Sequence, residues 1–380
     1  MNDLRIGLVG PLPPPNGGMA MQTEQLARLL RADGISVEQV ATNGPYRPAA
    51  IARLPGLRAL FRLIPYLASV WRLAGRVEVI HLMANSGWSW QLYAAPVLWL
   101  AWLRSTPVVV NYRGGEAHEY FQRSFSRVRP SLRKAAAVVV PSGYLEAVFR
   151  QFGQDTQVIP NIIDRAIFRE TAKDSITEPA KENPGPAPES RRRRHFTLVI
   201  TRNLEAIYAI DTAIRALALV HASDSGVRLR IAGSGPAEAQ LRALAAELGL
   251  ADAVSFEGRL DRPAIAALYA AADAMINPST VDNMPNSVIE SLACGVPVIS
   301  TDVGGVPFIV TQGESALLVP ARDETALAAA ILRLKGDELL RARLRANGLA
   351  QVEQYSWPRV RRQWLDLYRR LCPHNRREVA

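Results

Sequence analysis

Two carboxylates stand eight positions apart in "VDNMPNSVIESLACGVPVIS" (281–300): Asp282 precedes a proline-asparagine helix start, and Glu290 falls inside the first turns. The preceding "AMINPS" (274–279) ends a strand, "TVDNMPN" (280–286) reads as a loop, and the helix that follows is closed by Gly295. The backbone amides around Asn283, Met284, Pro285, Asn286, Ser287 and Val288 contain the unpaired donors of a helix N-terminus, a ready site for an anion. Beneath such an N-terminus, an acid on the helix can hold a ribose diol, and an acid at the start of the loop can receive a sugar hydroxyl. A local reading competes. Ser287 and Glu290 have the S-x-x-E spacing of a capping box, which would only close the first turn. Asp is also common in loops ahead of helices.

Three further loops have the same strand-to-helix setting. In "GPLPPPNGGMA" (10–20), Gly17 and Gly18 would let backbone amides approach a phosphate; glycine for turn geometry alone is the other reading. In "IAGSGPAEAQ" (231–240), Gly233 and Gly235 serve either a ligand or a tight turn. "STDVGGVP" (300–307) adds another glycine pair beyond the next strand.

The elements that would position these loops alternate along the chain. "RIGLVG", "VEVIHLM", "TPVVVNY", "AAAVVVPS" and "TQVIPN" are apolar strands separated by amphipathic helices, including one over 20–33, a Trp-rich one near 90–104 and one at 143–152. The rhythm resumes with "FTLVIT", "VRLRIAG", "AVSFEG", "AMINPS", "VPVIST" and "SALLVP", and a last amphipathic helix spans about 357–371. Strands separated by helices predict parallel sheets covered on both faces, hence two doubly wound α/β domains. Pro236 in the first turn and Gly249 just past the end punctuate the helix between the second pair. Residues 171–195, "TAKDSITEPAKENPGPAPESRRRRH", cannot bury a core and read as a linker or insertion, with the arginines 191–194 a solvated run.

Bulk properties agree with this division. A chain of 380 residues suits two domains, and its 48% apolar content supplies two cores. The net charge of +10 favours anionic partners or a basic solubilising surface. Cys294 and Cys372 make neither a disulfide framework nor a metal cluster. The chain opens on a strand with no charged-then-apolar leader, and "LYAAPVLWLAWL" (92–103) is shorter than the roughly 20 residues of a membrane span. The expectation is a cytoplasmic protein, soluble or peripheral on the inner face of the membrane. Nucleic-acid binding lacks a reading helix or aromatic platform. A nicotinamide enzyme would need G-x-G-x-x-G after the first strand, which is absent.

Read together, the segments resemble the retaining glycosyltransferases of family 4 (group 1), which have the GT-B fold. The resemblance rests on the acid-x7-acid stretch, the "NGG" loop, "VIPNIID" (158–164), Arg202 after "FTLVIT", "IAGSGP", "VSFEGRL", "LYAAADAMINPS", "GVPFIVTQGESALLVPARD" and "YSWPRV" (355–360), in order across nearly the whole chain. It implies two Rossmann-like domains facing a cleft, with an acceptor-side domain over 1–165, a linker over 166–195 and a nucleotide-sugar domain over 196–356. The helix at 357–372 would cross back to the first domain. It implies a nucleotide-diphosphate sugar as donor substrate, no cofactor, and no metal. Glu290 would bind the ribose hydroxyls and Asp282 would face the donor sugar. Amides of 283–287 would meet sugar and phosphate, with Gly233 on the same donor side. Arg202 would neutralise the diphosphate, and Gly17 and Gly18 would close over it. The acceptor would be a sugar or lipid-linked oligosaccharide, in surface polysaccharide or glycolipid synthesis.

The departures are specific. The first acid is usually Glu, whereas Asp282 is one methylene shorter. The lysine usually found about five residues after the arginine is missing from "TRNLEAIYAIDT". Arg113 in "NYRGGEAH" stands where a histidine is usual; it can bind an anion but cannot act as a base, and His118 or Glu116 is the substitute. Phe308 replaces the acid of "GGxPE". A partner subunit that binds sugar nucleotide with little activity is therefore the alternative. Residues 53–76 interleave five arginines with Leu, Phe, Tyr and Trp: either an anchor on an anionic membrane or a helix pair packed on the first sheet.

Overall fold

The computed structural model describes residues 4–14, 17–44, 57–170 and 195–372, and only the backbone of 57–60. Residues 171–194 of the expected linker, with its arginine run, lie outside the described residues, as do 53–56 of the expected anchor. The chain divides into two compact units, Met1–Ile162 with Trp357–Ala380, and Ile163–Ser356.

The first unit runs β1 (Arg5–Gly10), α1 (Gly18–Ala32), β2 (Ser36–Ala41), α2 (Leu57–Ala74), β3 (Val79–Ala84), α3 (Ala95–Leu103), β4 (Val108–Tyr112), α4 (Ala117–Leu132), β5 (Ala137–Val140), α5 (Gly143–Gln151) and β6 (Gln157–Val158). The second runs β7 (Phe196–Thr201), α6 (Ile210–His221), β8 (Val227–Ala232), α7 (Glu238–Glu247), β9 (Val254–Gly258), α8 (Arg262–Ala270), β10 (Ala274–Asn277), α9 (Asn286–Ala293), β11 (Val298–Thr301), β12 (Ala316–Val319), α10 (Glu324–Gly336) and α11 (Glu338–Val352). α12 (Trp357–Leu371) belongs to the first unit.

Each unit contains a six-stranded sheet, ordered β2-β1-β3-β4-β5-β6 and β12-β11-β10-β7-β8-β9, with every pairing parallel. Strand order reverses between β1 and β3 in the first and between β7 and β10 in the second. At such a switch point the flanking loops diverge to opposite faces and open a crevice at the strands' carboxyl ends.

Both sheets are buried on both faces, which is why their strands read as unbroken apolar runs. In β10, Ala274 and Ile276 join the core beneath α6 and α10, while Met275 joins the core beneath α8 and α9. In the first unit, Val109 and Val139 face the α1 and α12 side, and Val108, Val110 and Val138 face α2 to α5. α12 is anchored by Trp364 and Tyr368. The buried His81 on β3 binds the Tyr368 hydroxyl through Nδ1 at 2.6 Å and meets Asn111 Nδ2 through Nε2 at 3.0 Å. Burial pushes the His81 imidazole down to about 3, with Arg113 adding to the effect.

Four elements went unread in the sequence: β2, α4, α10 and α11. β2 alternates Val and polar residues at a sheet edge, and Arg-rich α4 has Pro130 near its end. A correction concerns 53–76: from Leu57 to Ala74 the chain is one helix with Pro65 inside, not a helix pair. Pro65 removes one internal hydrogen bond, but Leu63 before it and the buried stripe Tyr66, Val70 and Leu73 after it hold α2 to the core.

Candidate functional site

In the second unit the switch point between β7 and β10 places Arg202, directly after β7, beside the loop 278–285 that follows β10. Short buried polar side chains tie that loop to the strand ends. Asn277 Nδ2 donates to Ser300 Oγ at 3.0 Å, Ser279 Oγ to Asn277 Oδ1 at 2.8 Å, and Thr301 Oγ1 to the Ser279 carbonyl at 2.6 Å. The Gly305 amide donates to the Asp282 carbonyl at 2.8 Å. A Cβ on Gly304 would collide with the Asp282 carbonyl, and one on Gly305 with that of Asn283. This glycine pair is thus a seat for the acid-bearing loop. Gly233 and Gly235 have the same character. Their Cβ atoms would strike the carbonyls of Arg202 and Leu204, so both turns exist to let the 202–204 backbone pass closely.

Asp282 and Arg202 form an ion pair whose side chains are only 13% and 12% exposed. The guanidinium also donates from Nη2 to Ser279 Oγ at 3.2 Å and lies over the Tyr208 ring, 4.4 Å from its centre. Burial lowers its pKa, and Tyr208, Tyr269 and Glu290 oppose the shift. A buried guanidinium with one carboxylate and an Nε that has no hydrogen-bond partner among the described residues can take a second anion.

The capping-box reading of Glu290 fails. α9 begins at Asn286, its N-cap is Pro285, and no side chain caps it. Ser287 Oγ is buried with no partner among the described residues, and the Ser287 carbonyl accepts from Tyr269 Oη at 3.0 Å. Other helices here close their first turn with an acid: Asp261 accepts from the Ala264 amide at 2.9 Å, Asp323 from Ala326 and Asp337 from Leu340, each at 2.8 Å. α9 has no such side-chain cap. Burial pushes the Glu290 carboxyl up to about 7, while Arg262 and then Arg202 pull it back. The Met284 side chain is in the core, so that residue offers only its backbone.

Arg262 was missed in the sequence. Its Nη1 meets Asp164 Oδ2 at 3.2 Å, and its guanidinium lies over Phe168. "LDRPAIAALY" shows only a helix start, because Asp261 and Pro263 dominate it. Its reach toward Glu290 depends on the folded "NIID" segment.

The first-unit candidates sit at three separate places. Gly17 is the N-cap of α1 in extended conformation, and a Cβ there would meet nothing within 4 Å, so no local contact requires glycine. Gly18 is the first residue of α1. Arg113 follows β4, its amide donating to the Ala84 carbonyl at 2.9 Å and its guanidinium to Asn161 Oδ1. Burial lowers its pKa to about 10. A Cβ on Gly114 would strike Ser86 Oγ, so the loop after β4 is packed against the loop after β3. His118 is in the first turn of α4, within 2.8 Å of Gln122 Nε2, and Glu116 before it is exposed. Phe308 is also exposed.

Comparison with known proteins converges on one group. The family model described as Glycosyl transferases group 1 matches residues 187–351, and that described as Glycosyltransferase Family 4 matches 16–166. A D-inositol 3-phosphate glycosyltransferase of Thermomonospora curvata is 32% identical over 48% of this chain and 46% of its own, so the matched stretch spans less than half of that relative. The protein of the same name from Jonesia denitrificans is 25% identical over 93% of this chain and 91% of its own. Among solved structures, sucrose-phosphate synthase from Thermosynechococcus elongatus superposes with a TM-score of 0.75 at 23% identity, covering 97% of this chain and 99% of that one. Anabaena Alr3699/HepE in complex with UDP gives 0.72 at 20% identity, covering 96% and 99%.

Proposed function

The chain belongs to the family 4 glycosyltransferases of the GT-B fold, and we propose that it moves a hexose from UDP-sugar to a sugar acceptor in bacterial surface polysaccharide or glycolipid synthesis. In this reading transfer retains the anomeric configuration, needs no metal ion, and takes place at the cytoplasmic face of the membrane. The observation that carries the donor assignment is Glu290: a part-buried carboxyl, released from any capping duty, in the field of Arg202 and Arg262 on α9, a helix whose N-terminus no side chain caps. A carboxylate held there can accept two ribose hydroxyls, while the α9 amides and Arg202 take up the charge on the diphosphate. HepE was crystallised with UDP, which supports uridine as the base.

Asp282 faces the donor sugar in this reading, and its ion pair with Arg202 must loosen or be shared when the diphosphate arrives. Departure of the diphosphate builds negative charge, which Arg202 and the amides of 283–287 stabilise; the leaving phosphate takes the acceptor proton. Arg113 cannot accept a proton, so it holds an anionic group of the acceptor. Phosphate-bearing names among the relatives and neighbours support that role. His118 is the remaining titratable candidate on the acceptor side.

The test is a panel of UDP-, GDP- and ADP-sugars added to the purified chain, read by melting temperature and by release of free nucleotide. The UDP-sugar should raise the melting temperature by mass action, and nucleotide release should persist in EDTA. A chain stabilised by no nucleotide sugar, or one that needs a divalent ion, would overturn this reading.

A further inference from the structure

α2 is apolar on two sides. Its inner stripe, Tyr66, Val70 and Leu73, is buried in the core of the first unit. Its outer stripe, Phe61, Ile64 and Trp71, recurs at helical spacing and is 41–57% exposed. A helix covering one face of a sheet needs one such stripe. α3 repeats the pattern. "APVLWLAWL" contains no polar residue; Val97, Leu98 and Ala101 are buried, while Trp99, Trp102 and Leu103 point outward. Trp88, just ahead, is 79% exposed. Eight of the twelve large apolar side chains that are exposed among the described residues fall between 61 and 103. The two helices pack on each other, and Arg104 at the end of α3 lies over Trp71 of α2, which brings the two outer stripes together.

Cations sit on this surface at the level of the rings. Arg104 lies over Trp71 at 4.8 Å, and Lys134 over Trp102 at 3.7 Å and Trp99 at 5.0 Å. Between residues 57 and 115 the sequence has a single acid, Glu78, and Arg5 pairs with it at 3.2 Å. We infer that the α2–α3 face, centred on Trp71, Trp99 and Trp102 with Arg104 and Lys134, docks on an anionic lipid bilayer. The inference deepens the lipid-linked acceptor reading and rests on it, and it moves the contact from the arginines of 53–76 to the tryptophans of two helices.

Charge decides between occupants. Indole rings with adjacent guanidinium or ammonium groups match the interface between acyl chains and phosphate headgroups. Headgroup phosphates supply the negative charge that this face lacks. A second copy of the chain would bring the same cations against themselves in a two-fold contact, which is unfavourable.

The experiment is cosedimentation of the full chain with phosphatidylcholine vesicles, with and without about a third phosphatidylglycerol, alongside quenching of tryptophan fluorescence by brominated lipid. The wild type should bind the anionic vesicles and be quenched. Trp71→Ser/Trp99→Ser/Trp102→Ser should lose binding at least about tenfold, and Arg104→Glu/Lys134→Glu at least about fivefold. Leu339→Ser, on another exposed apolar residue, should change nothing. The UDP-sugar melting shift, read on the same samples, should be unaltered in all three. Anionic-vesicle binding equal in the triple-tryptophan variant and the wild type would overturn the inference. So would binding indifferent to phosphatidylglycerol, or a concentration-dependent dimer that the tryptophan changes abolish without any vesicle binding. Loss of the nucleotide shift alone would instead strike at the donor reading.

Discussion

The two switch points solve the same problem in different ways. In the second unit, the loop after β10 is seated on Gly304 and Gly305, laced to the strand ends by Asn277, Ser279, Ser300 and Thr301, and neutralised by Arg202. Charge and unpaired polar atoms are held in place before any ligand arrives. In the first unit, the loops after β1, β3 and β4 are held by hydrogen bonds and packing: Asn43 Oδ1 accepts from the Leu12 amide at 2.9 Å, Ser86 Oγ meets the Tyr112 hydroxyl at 2.6 Å, and Arg113 donates to Asn161 Oδ1, while His118 lies against Gln122. The difference is one of charge: the frame of the second unit holds an acid–arginine pair, whereas the loop after β4 holds Arg113 against an amide oxygen.

The largest effect that could break this contrast is expected from Glu290→Ala. Two charge-assisted hydrogen bonds at about 1.5–3 kcal/mol each would be lost, so affinity for the UDP-sugar should fall at least about a hundredfold by calorimetry. Undiminished binding would remove the donor assignment. Next comes Arg202→Met, which leaves Asp282 buried without its partner and should destabilise the second unit by about 3–5 kcal/mol in denaturant melts. Adding Asp282→Asn should return part of that stability but not donor binding. If both return together, the pair is structural.

Glycines sharpen the comparison further. Gly305→Ala forces a methyl against the Asn283 carbonyl and should cost about 2 kcal/mol or more, together with donor affinity. Gly17→Ala meets no neighbour and has an ordinary φ, so stability should stay within about 0.5 kcal/mol. Equal stability losses in both would show that the two loops are seated alike.

The smallest expected effect is opposite pH dependence in the two units. His81 is held near 3 in the folded state against about 6.5 unfolded, so the unfolded chain binds its proton first. The first unit should therefore lose stability as pH falls through 6.5, by at most about 1.4 kcal/mol per unit from this group. Glu290 is raised to about 7 when folded, so the folded state binds that proton first. The second unit should lose stability as pH rises from about 4.5 toward 7. Hydrogen exchange read separately in β3 and α9 between about pH 5 and about pH 7 checks both signs. His81→Gln and Glu290→Gln should each flatten one slope. Parallel slopes would contradict the assignment.

Most of the fold was legible as sequence. The apolar runs from "RIGLVG" to "SALLVP" had to pair as parallel strands, since only burial on both faces suits them. The loops of glycine and acid fell at strand ends because glycine and proline punctuate the chain there. The sequence by itself also determined which residues carry charge and, to within about a residue, where the acid-bearing helix begins.

Tertiary structure alone decided what those charges do. Whether Glu290 closed its own helix or stood free could not be read from S-x-x-E spacing, because Pro285 takes the N-cap and leaves Ser287 two positions inside it. Whether Gly233 and Gly305 served a ligand or a backbone crossing depended on Arg202 and Asn283, far away in the chain. Arg262 is set beside the site with Asp164 as its partner, and the outer stripes of α2 and α3 meet where Arg104 lies over Trp71. Local spacing specifies local hydrogen bonds and which faces are apolar. Which long-range partner takes each remaining charge or surface is settled by packing, which brings together groups that no sequence interval relates.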